Sequence, residues 1–181
     1  MKALIICGSR NGGFTSEMCR SFSKGLGTRG VSSEIVFPID MRIGHCTGCG
    51  FCSGDDGCNI RDDMGIICDA FRESDLLVLA TPVHFSGPSS VIKAVIDRFQ
   101  PIWFNKTEHP RYAAGLISGG GPEPYFMNTV SIFRAFSATA GMKWIGHLEI
   151  PDTDNKKISD VTGPSFDYGC DLGSLITKSR I

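Results

Sequence analysis

The residues with the most distinctive chemistry are four cysteines that fall within one short segment. They are Cys46, Cys49, Cys52 and Cys58. Their spacing, C-x2-C-x2-C-x5-C, allows four thiolates to surround a soft metal centre, and the glycines between them permit tight winding. The spacing is similar to that of a [4Fe-4S] loop, so we predict a cluster here. The adjacent His45 is interpreted as a surface residue, because four thiolates already complete such a site.

Three other interpretations of the cysteine segment remain open. The first is structural zinc, which usually takes two separated C-x2-C pairs. The second is a redox-active C-x-x-C pair of thiols, and the third is disulfide bonds. The chain has eight cysteines, but its start at positions 1–7 is a short apolar run followed by Gly8. That pattern predicts a buried strand and not a secretion signal, which favours a cytoplasmic, reducing setting.

A second group of polar residues follows this first apolar run. The loop from Gly8 to Glu17 is rich in glycine and leads into a predicted helix, where free backbone N–H groups can face an anion. It lacks G-x-G-x-x-G and G-x-x-x-x-G-K-[ST], which argues against a dinucleotide Rossmann domain and a P-loop NTPase. We predict a phosphate monoester site, with a plain strand-to-helix turn as the alternative. The predicted contacts are Ser9, Arg10, Asn11, Gly13, Phe14, Thr15 and Ser16.

The elements that must position these loops alternate between strand and helix. Predicted strands cover 2–7, 33–37, 75–80, 113–118 and 143–149. Predicted helices cover 15–25, 62–72, 88–99, 127–139 and 166–178, with Thr15 and Asp62 or Asp63 as N-caps. Residues 100–111, with Trp103 and Phe104, are predicted to form a loop. This alternation predicts a doubly wound α/β fold in one domain, with five parallel strands in the order 2-1-3-4-5.

Two further loops follow predicted strands at the edge where this architecture binds ligands. One contains Thr81, Pro82, Val83, His84, Phe85 and Ser86, and the other contains Ser118, Gly119, Gly120 and Gly121. The glycine run lets backbone approach a ligand closely, or alternatively forms a flexible turn. Because the cysteine segment follows strand two, we expect it at the same carboxyl edge as these loops.

The three loops resemble those of the NADPH-dependent FMN reductase group of flavodoxin-like proteins. That group has G-S-P-R-x-x-G-N-T in the first loop, whereas this chain lacks the Pro and has Phe14 where Asn is usual. The group also has the motif S-P-V-Y-F, followed by a helix of the pattern L-K-x-F-x-D-R. Residues 92–98 of this chain match that helix. The resemblance implies FMN, with residues 81–86 and 118–121 against the flavin ring. His84 replaces the usual Tyr and is interpreted as a stacked ring, with a proton donor as the alternative.

The cysteine segment, followed by Asn59-Ile60-Arg61-Asp62-Asp63-Met64, resembles the iron–sulfur flavoproteins, in which C-x-I-x-D-D-M is common. This resemblance implies an FMN-dependent oxidoreductase that passes electrons between FMN and a [4Fe-4S] cluster. The alternatives are an NAD(P)H-dependent FMN or quinone reductase without a cluster, and a flavodoxin-like electron carrier.

The resemblance also bears on partners. It implies NAD(P)H or a ferredoxin-like protein as the redox partner, and a homo-oligomer with Trp103 and Phe104 as candidate contacts. The net charge of -1 gives no reason to expect nucleic acid. No apolar run approaches the roughly 18 residues that span a membrane.

Overall fold

The fold is a parallel sheet covered by helices on both faces. The computed structural model describes residues 1–54, 57–105 and 108–178. Residues 55–56 of the cysteine loop and 106–107 of the predicted 100–111 loop lie outside these ranges. The strands are β1 (Lys2–Cys7), β2 (Ser32–Val36), β3 (Leu76–His84), β4 (Gly87–Pro88), β5 (Tyr112–Ser118) and β6 (Lys143–Ile150). The helices are α1 (Phe14–Gly27), α2 (Met64–Arg72), α3 (Ser90–Arg98), α4 (Gln100–Phe104), α5 (Met127–Thr139) and α6 (Ile158–Lys178).

The sheet order is β2-β1-β3-β5-β6, and the pairs along this path are all parallel. β4 adds only a two-residue antiparallel extension to the end of β3. The five long strands therefore have the predicted 2-1-3-4-5 arrangement, and the flavodoxin-like α/β fold is confirmed. Among the described residues, the structure has no helix that is both long and apolar enough to cross a membrane.

Side chains of β1 alternate between two hydrophobic cores, because successive residues of a strand point to opposite faces. Ala3 and Ile5 pack with α1 and α6 on one face. Leu4 and Ile6 pack with α2, α3 and α5 on the other. All four are fully buried. The unbroken apolar run of β3 is likewise buried on both faces, as predicted for a central strand.

Several predicted boundaries differ from the structure. α1 begins at Phe14 with Gly13 as its N-cap, so Thr15 lies inside the first turn. β3 continues beyond Ala80 because Thr81 and Pro82 pair with β5, and Val83 and His84 pair with β4. The predicted 100–111 loop contains α4, whose Pro101 lies in the first turn, where a missing N–H removes no helical bond.

The last helix begins at Ile158, well before the predicted start at residue 166, and continues through Pro164. Its packing explains this difference. A Cβ on Gly25 of α1 would lie 2.2 Å from the Phe166 carbonyl oxygen, so α1 and α6 approach each other closely through glycine. Burial against α1 outweighs the cost of a proline in the second turn.

Candidate functional site

Buried hydrogen bonds hold the three predicted flavin loops together. The Thr15 and Ser118 hydroxyls are 2.7 Å apart, which joins the start of α1 to the end of β5. Ser89 caps α3, and its Oγ donates to the Gly8 carbonyl over 2.6 Å. The Ser89 backbone N–H donates to Thr81 Oγ1 over 2.9 Å. The loops after β1, β3 and β5 therefore form one connected rim at the carboxyl edge of the sheet.

The start of α1 offers backbone donors to an anion. Gly13 provides no side-chain cap, and the first bond within the helix is from the Glu17 N–H to the Gly13 carbonyl. The N–H groups of the first turn therefore have no partner within the helix, and the helix dipole adds positive potential there. Thr15 and Ser16 are buried, and Ser16 Oγ donates to the Gly13 carbonyl. Their hydroxyls therefore brace the loop from inside.

The other predicted phosphate contacts lie nearer the surface. Arg10 and Asn11 are exposed, Ser9 is half-buried, and Phe14 packs at the edge of the core. Ser9 Oγ lies 3.3 Å from the Cys7 sulfur and donates to the Arg10 carbonyl. Asn11 Oδ1 accepts from Arg20 over 2.6 Å. Arg20 is thus a cation at this loop that was not among the predicted contacts.

The loop after β3 is a tight hairpin that presents an aromatic ring. His84 pairs with Gly87, and the two residues between them, Phe85 and Ser86, have φ angles of 48° and 61°. Positive φ at both central residues is the pattern of a type I′ turn, which normally uses Asn or Gly and is strained for other residues. His84 and Ser86 are exposed, and Phe85 is fully exposed. Pro82 and Val83 are half-buried, and Thr81 is buried.

The glycine loop after β5 is fixed by the segment that follows β6. The Gly119 N–H donates to the Ile150 carbonyl. The carbonyls of Gly119, Gly120 and Gly121 accept from the backbone N–H groups of residues 153, 154 and 152. The glycine run is therefore held next to Ser118 by backbone hydrogen bonds and forms a platform there.

The four cysteines of the predicted cluster loop line one cavity of about 280 Å³. Other walls of the cavity come from Asp97, Arg98, Pro101 and Phe104, near the junction of α3 and α4. Cys49 is exposed, and the other three are half-buried free thiols. Within the described residues, no three Cys, His, Asp or Glu side chains are arranged to hold a single metal ion.

The environments of the thiols differ within this cavity. Burial raises the pKa of Cys52, and the nearby sulfurs of Cys58, Cys46 and Cys49 raise it further. The backbone N–H of Phe51 lowers the pKa of Cys49, and the Thr47 side chain lowers it further. All four sulfurs are thus near enough to influence one another, and the loop supplies donors that favour thiolate at its exposed cysteine.

Beside the cavity lies an ion pair whose two residues were not among the predicted site residues. Arg98 forms a two-pronged contact with Asp62, with distances of 2.6 and 2.9 Å, and its side chain is 1% exposed. Hydrogen bonding to Arg98, aided by the N–H groups of Gly44 and Met64, lowers the pKa of Asp62 to about 2. The available signals were the D-D-M and D-R motifs, which match the family but do not reveal that they meet.

The cysteine cavity and the flavin loops contact opposite ends of α3, in contrast to the expected shared edge. Ser89 at the N-cap contacts Gly8, whereas Arg98 at the last turn lines the cavity. Nine helical residues span about 13 Å. The cysteine segment does leave the carboxyl edge after β2, but residues 38–40 run against α3 and carry it away from that edge.

Comparisons with known proteins agree with this geometry. The sequence profile of NADPH-dependent FMN reductases matches residues 1–149. An iron–sulfur flavoprotein from Archaeoglobus fulgidus is 33% identical over 171 residues, or 89% of this chain and 77% of that protein. An iron–sulfur flavoprotein from Methanocaldococcus jannaschii is 32% identical over 56% of this chain, but the match spans about half of that protein (53%).

Solved structures with this fold include several flavin oxidoreductases. An NAD(P)H:quinone oxidoreductase from Methanothermobacter marburgensis has a TM-score of 0.74 at 16% identity, covering 95% of this chain and 96% of that one. An FMN-dependent NADH-azoreductase from Bacillus anthracis, solved with FMN, has a TM-score of 0.70 at 12% identity, covering 97% and 99%. At these identities, the likeness is one of fold.

Proposed function

The chain belongs to the NADPH-dependent FMN reductase family, and from this premise we propose that it is an FMN-dependent oxidoreductase that also carries a [4Fe-4S] cluster. The observation that carries the second half of the proposal is the single cavity lined by Cys46, Cys49, Cys52 and Cys58. When bound, FMN accepts electrons in pairs or singly, and the cluster transfers one at a time.

The rim at the carboxyl edge fits the two parts of FMN. The N-terminus of α1 provides backbone N–H groups for the phosphate, with Ser9 and Arg10 at the same loop. The hairpin at 81–86 and the glycine platform at 118–121 follow β3 and β5, the next two strands of the sheet after β1, and are proposed to hold the ring. His84 is proposed to stack, as an exposed ring at the end of β3.

The arrangement of the four cysteines favours a cluster over zinc. Structural zinc sites usually take two separated C-x2-C pairs, whereas these four cysteines lie in one short segment and line one cavity. In a [4Fe-4S] cluster each thiolate binds a different iron, so the ligands lie farther apart around a larger body.

The first test is the content of iron, acid-labile sulfide and zinc per FMN in protein purified without oxygen. We expect about four iron and four sulfide per FMN in the wild type. Cys52→Ser should lose most of the iron and retain FMN. Cys170→Ser is the matched control, because Cys170 is a half-buried cysteine on α6 that contacts Thr28. FMN with zinc or no metal in the wild type would contradict the cluster.

The second candidate function is an NAD(P)H-dependent FMN or quinone reductase without a cluster, which the family match by itself supports. Stopped-flow loss of flavin absorbance on mixing with NADPH, NADH or a reduced ferredoxin would identify the donor. Rapid bleaching by NADPH in iron-free protein would favour this second function. Bleaching only by ferredoxin would favour the iron–sulfur flavoprotein.

We further propose that the chain acts as a homo-oligomer. Trp103 and Phe104 are 67% and 48% exposed on α4, next to the cysteine cavity. Exposed aromatic side chains of this kind are enriched at protein interfaces. Light scattering of the wild type and of Trp103→Ser tests this, since a monomeric wild type would contradict the proposal.

A further inference from the structure

We propose that Arg98 is a positioning residue that clamps both ends of the cysteine loop and holds a positive charge beside the cluster. The effect of this charge on a cluster rests on the proposed function. The clamping of the cysteine loop does not, because it concerns the loop whatever ligand the loop binds.

The clamp consists of contacts from one guanidinium to both ends of the loop. Arg98 Nη1 donates to the Gly44 carbonyl over 2.8 Å, and Nη2 donates to the Ile60 carbonyl over 3.2 Å. Gly44 is two residues before Cys46, and Ile60 is two residues after Cys58. The same side chain thus fixes the entry and the exit of the segment that holds all four thiols.

Asp62 completes the clamp from the other side. Its Oδ2 accepts from the Gly44 N–H over 2.8 Å and its Oδ1 accepts from the Met64 N–H over 3.1 Å, while both oxygens accept from Arg98. Gly44 is therefore held by its N–H and its carbonyl together. This arrangement requires the planar fork of arginine, because a lysine ammonium cannot make both pairs of contacts at once.

The charge of Arg98 also faces the thiols. Arg98 lines the cysteine cavity, whereas Asp62 lines only the neighbouring groove. Asp97 also lines the cavity, but its carboxylate is paired with Lys93 over 2.7 Å. Arg98 therefore adds a cation at the cavity wall whose own partner lies outside the cavity, and this charge favours the reduced form of a bound cluster.

The test compares Arg98→Lys, Arg98→Met and a matched control, Lys93→Arg. Lys93 is a half-buried cation on the same helix, and it pairs with Asp97, a contact that arginine can keep. Arg98→Lys keeps charge and approximate volume, so it serves if Arg98→Met does not fold. Folding is checked by circular dichroism and FMN content.

Three measurements are made on each folded variant. The first is the rate of iron release to a chelator, and the second is the rate of tryptic cleavage after Arg42 and Arg61, which flank the loop and are exposed. The third is the midpoint potential of the cluster. We expect Arg98→Lys to release iron and to be cleaved at least tenfold faster than the wild type, while Lys93→Arg matches the wild type.

The midpoint potential of the cluster distinguishes an electrostatic role of Arg98 from a purely structural one. Arg98→Met should shift the ratio of reduced to oxidised cluster at least tenfold towards oxidised, which is 59 mV for one electron, and Arg98→Lys should shift it less. Iron release and cleavage unchanged in Arg98→Lys would overturn the clamp. Wild-type protein without iron would overturn the proposed cluster, and the cleavage rates would still test the clamp.

Discussion

Gly8 lies where the first two flavin loops meet, and replacing it with alanine tests whether that junction supports FMN binding. A Cβ at this position would lie 2.8 Å from Ile92 Cβ and from Ser89 Oγ, and 3.2 Å from the Ala80 carbonyl oxygen. Two of these atoms belong to the first turns of α3, and the third is in β3. None is the free end of a flexible side chain, so the backbone itself must move.

The cost follows from these contacts. Inserting a methyl group into a packed site costs about 1–3 kcal/mol. Moving Gly8 also weakens the bond from Ser89 Oγ to its carbonyl, which contributes about 1 kcal/mol. We therefore expect Gly8→Ala to lower the free energy of unfolding by about 2–4 kcal/mol, and the melting temperature by roughly 5–15 °C for a chain of this size.

Urea unfolding and FMN fluorescence titration measure the two consequences. We expect FMN affinity to fall on the order of tenfold, because the loop at the start of α1 shifts relative to the hairpin. Gly27→Ala is the control: no atom lies within 4 Å of its Cβ, and helix propensity should raise stability by up to about 1 kcal/mol. Gly8→Ala with wild-type stability and FMN affinity would refute this account of the junction.

Three further perturbations test other contacts of the fold. The pKa of Asp62 is depressed from 3.8 to about 2, so its ionised form contributes about 2 kcal/mol to the free energy of unfolding above about pH 4, and this contribution is lost as the pH falls towards 2. In acid titrations followed by circular dichroism, Asp62→Asn should therefore lose less stability over this pH range than the wild type, and an unchanged profile would contradict the prediction. Thr15→Val should lower the free energy of unfolding in urea by about 1–3 kcal/mol, because it leaves the Ser118 hydroxyl unpaired. The double variant Thr15→Val with Ser118→Ala should recover part of that loss, whereas additive losses would show that the two hydroxyls do not interact. Tyr168 has a buried hydroxyl without a hydrogen-bond partner in the described chain, and burial raises its pKa, so Tyr168→Phe should raise the thermal midpoint or leave it unchanged; a clear loss of stability would reveal a partner.

The sheet was predictable because its strands carry strong local signals. The predicted bounds of β1 and α5 agree with the structure, and the apolar run of β3 correctly indicated a central strand. The predicted ends of helices and strands were wrong where tertiary contacts determine where an element begins or ends. α6 continues through Pro164 because it packs on α1, and β3 lengthens because its end pairs with β5 and β4. Neither contact has a signal within the segment concerned.

The three predicted flavin loops lie at one rim, but the residues that hold them there were not predicted. Ser89 and Gly8 are far apart in sequence, as are Arg98 and Gly44, and no spacing rule connects residues across such separations. The conformation of the turn at Phe85 was not predictable for a different reason. Its positive φ contradicts the preference of an aromatic residue, so propensity points away from the observed conformation. Violations of local preference concentrate at functional sites, where the surrounding structure enforces them.

The placement of the two sites assigns a specific role to α3. Its N-cap, Ser89, braces the loop proposed to hold the FMN phosphate, and its last turn carries Arg98, which holds the cysteine loop. α3 is about 13 Å long and therefore connects the loop of one proposed site to the loop of the other within one chain. A change that bends α3 should alter both sites together, whereas Gly8→Ala and Arg98→Lys should each disturb one. If Gly8→Ala also accelerated iron release, the two ends of α3 would be coupled.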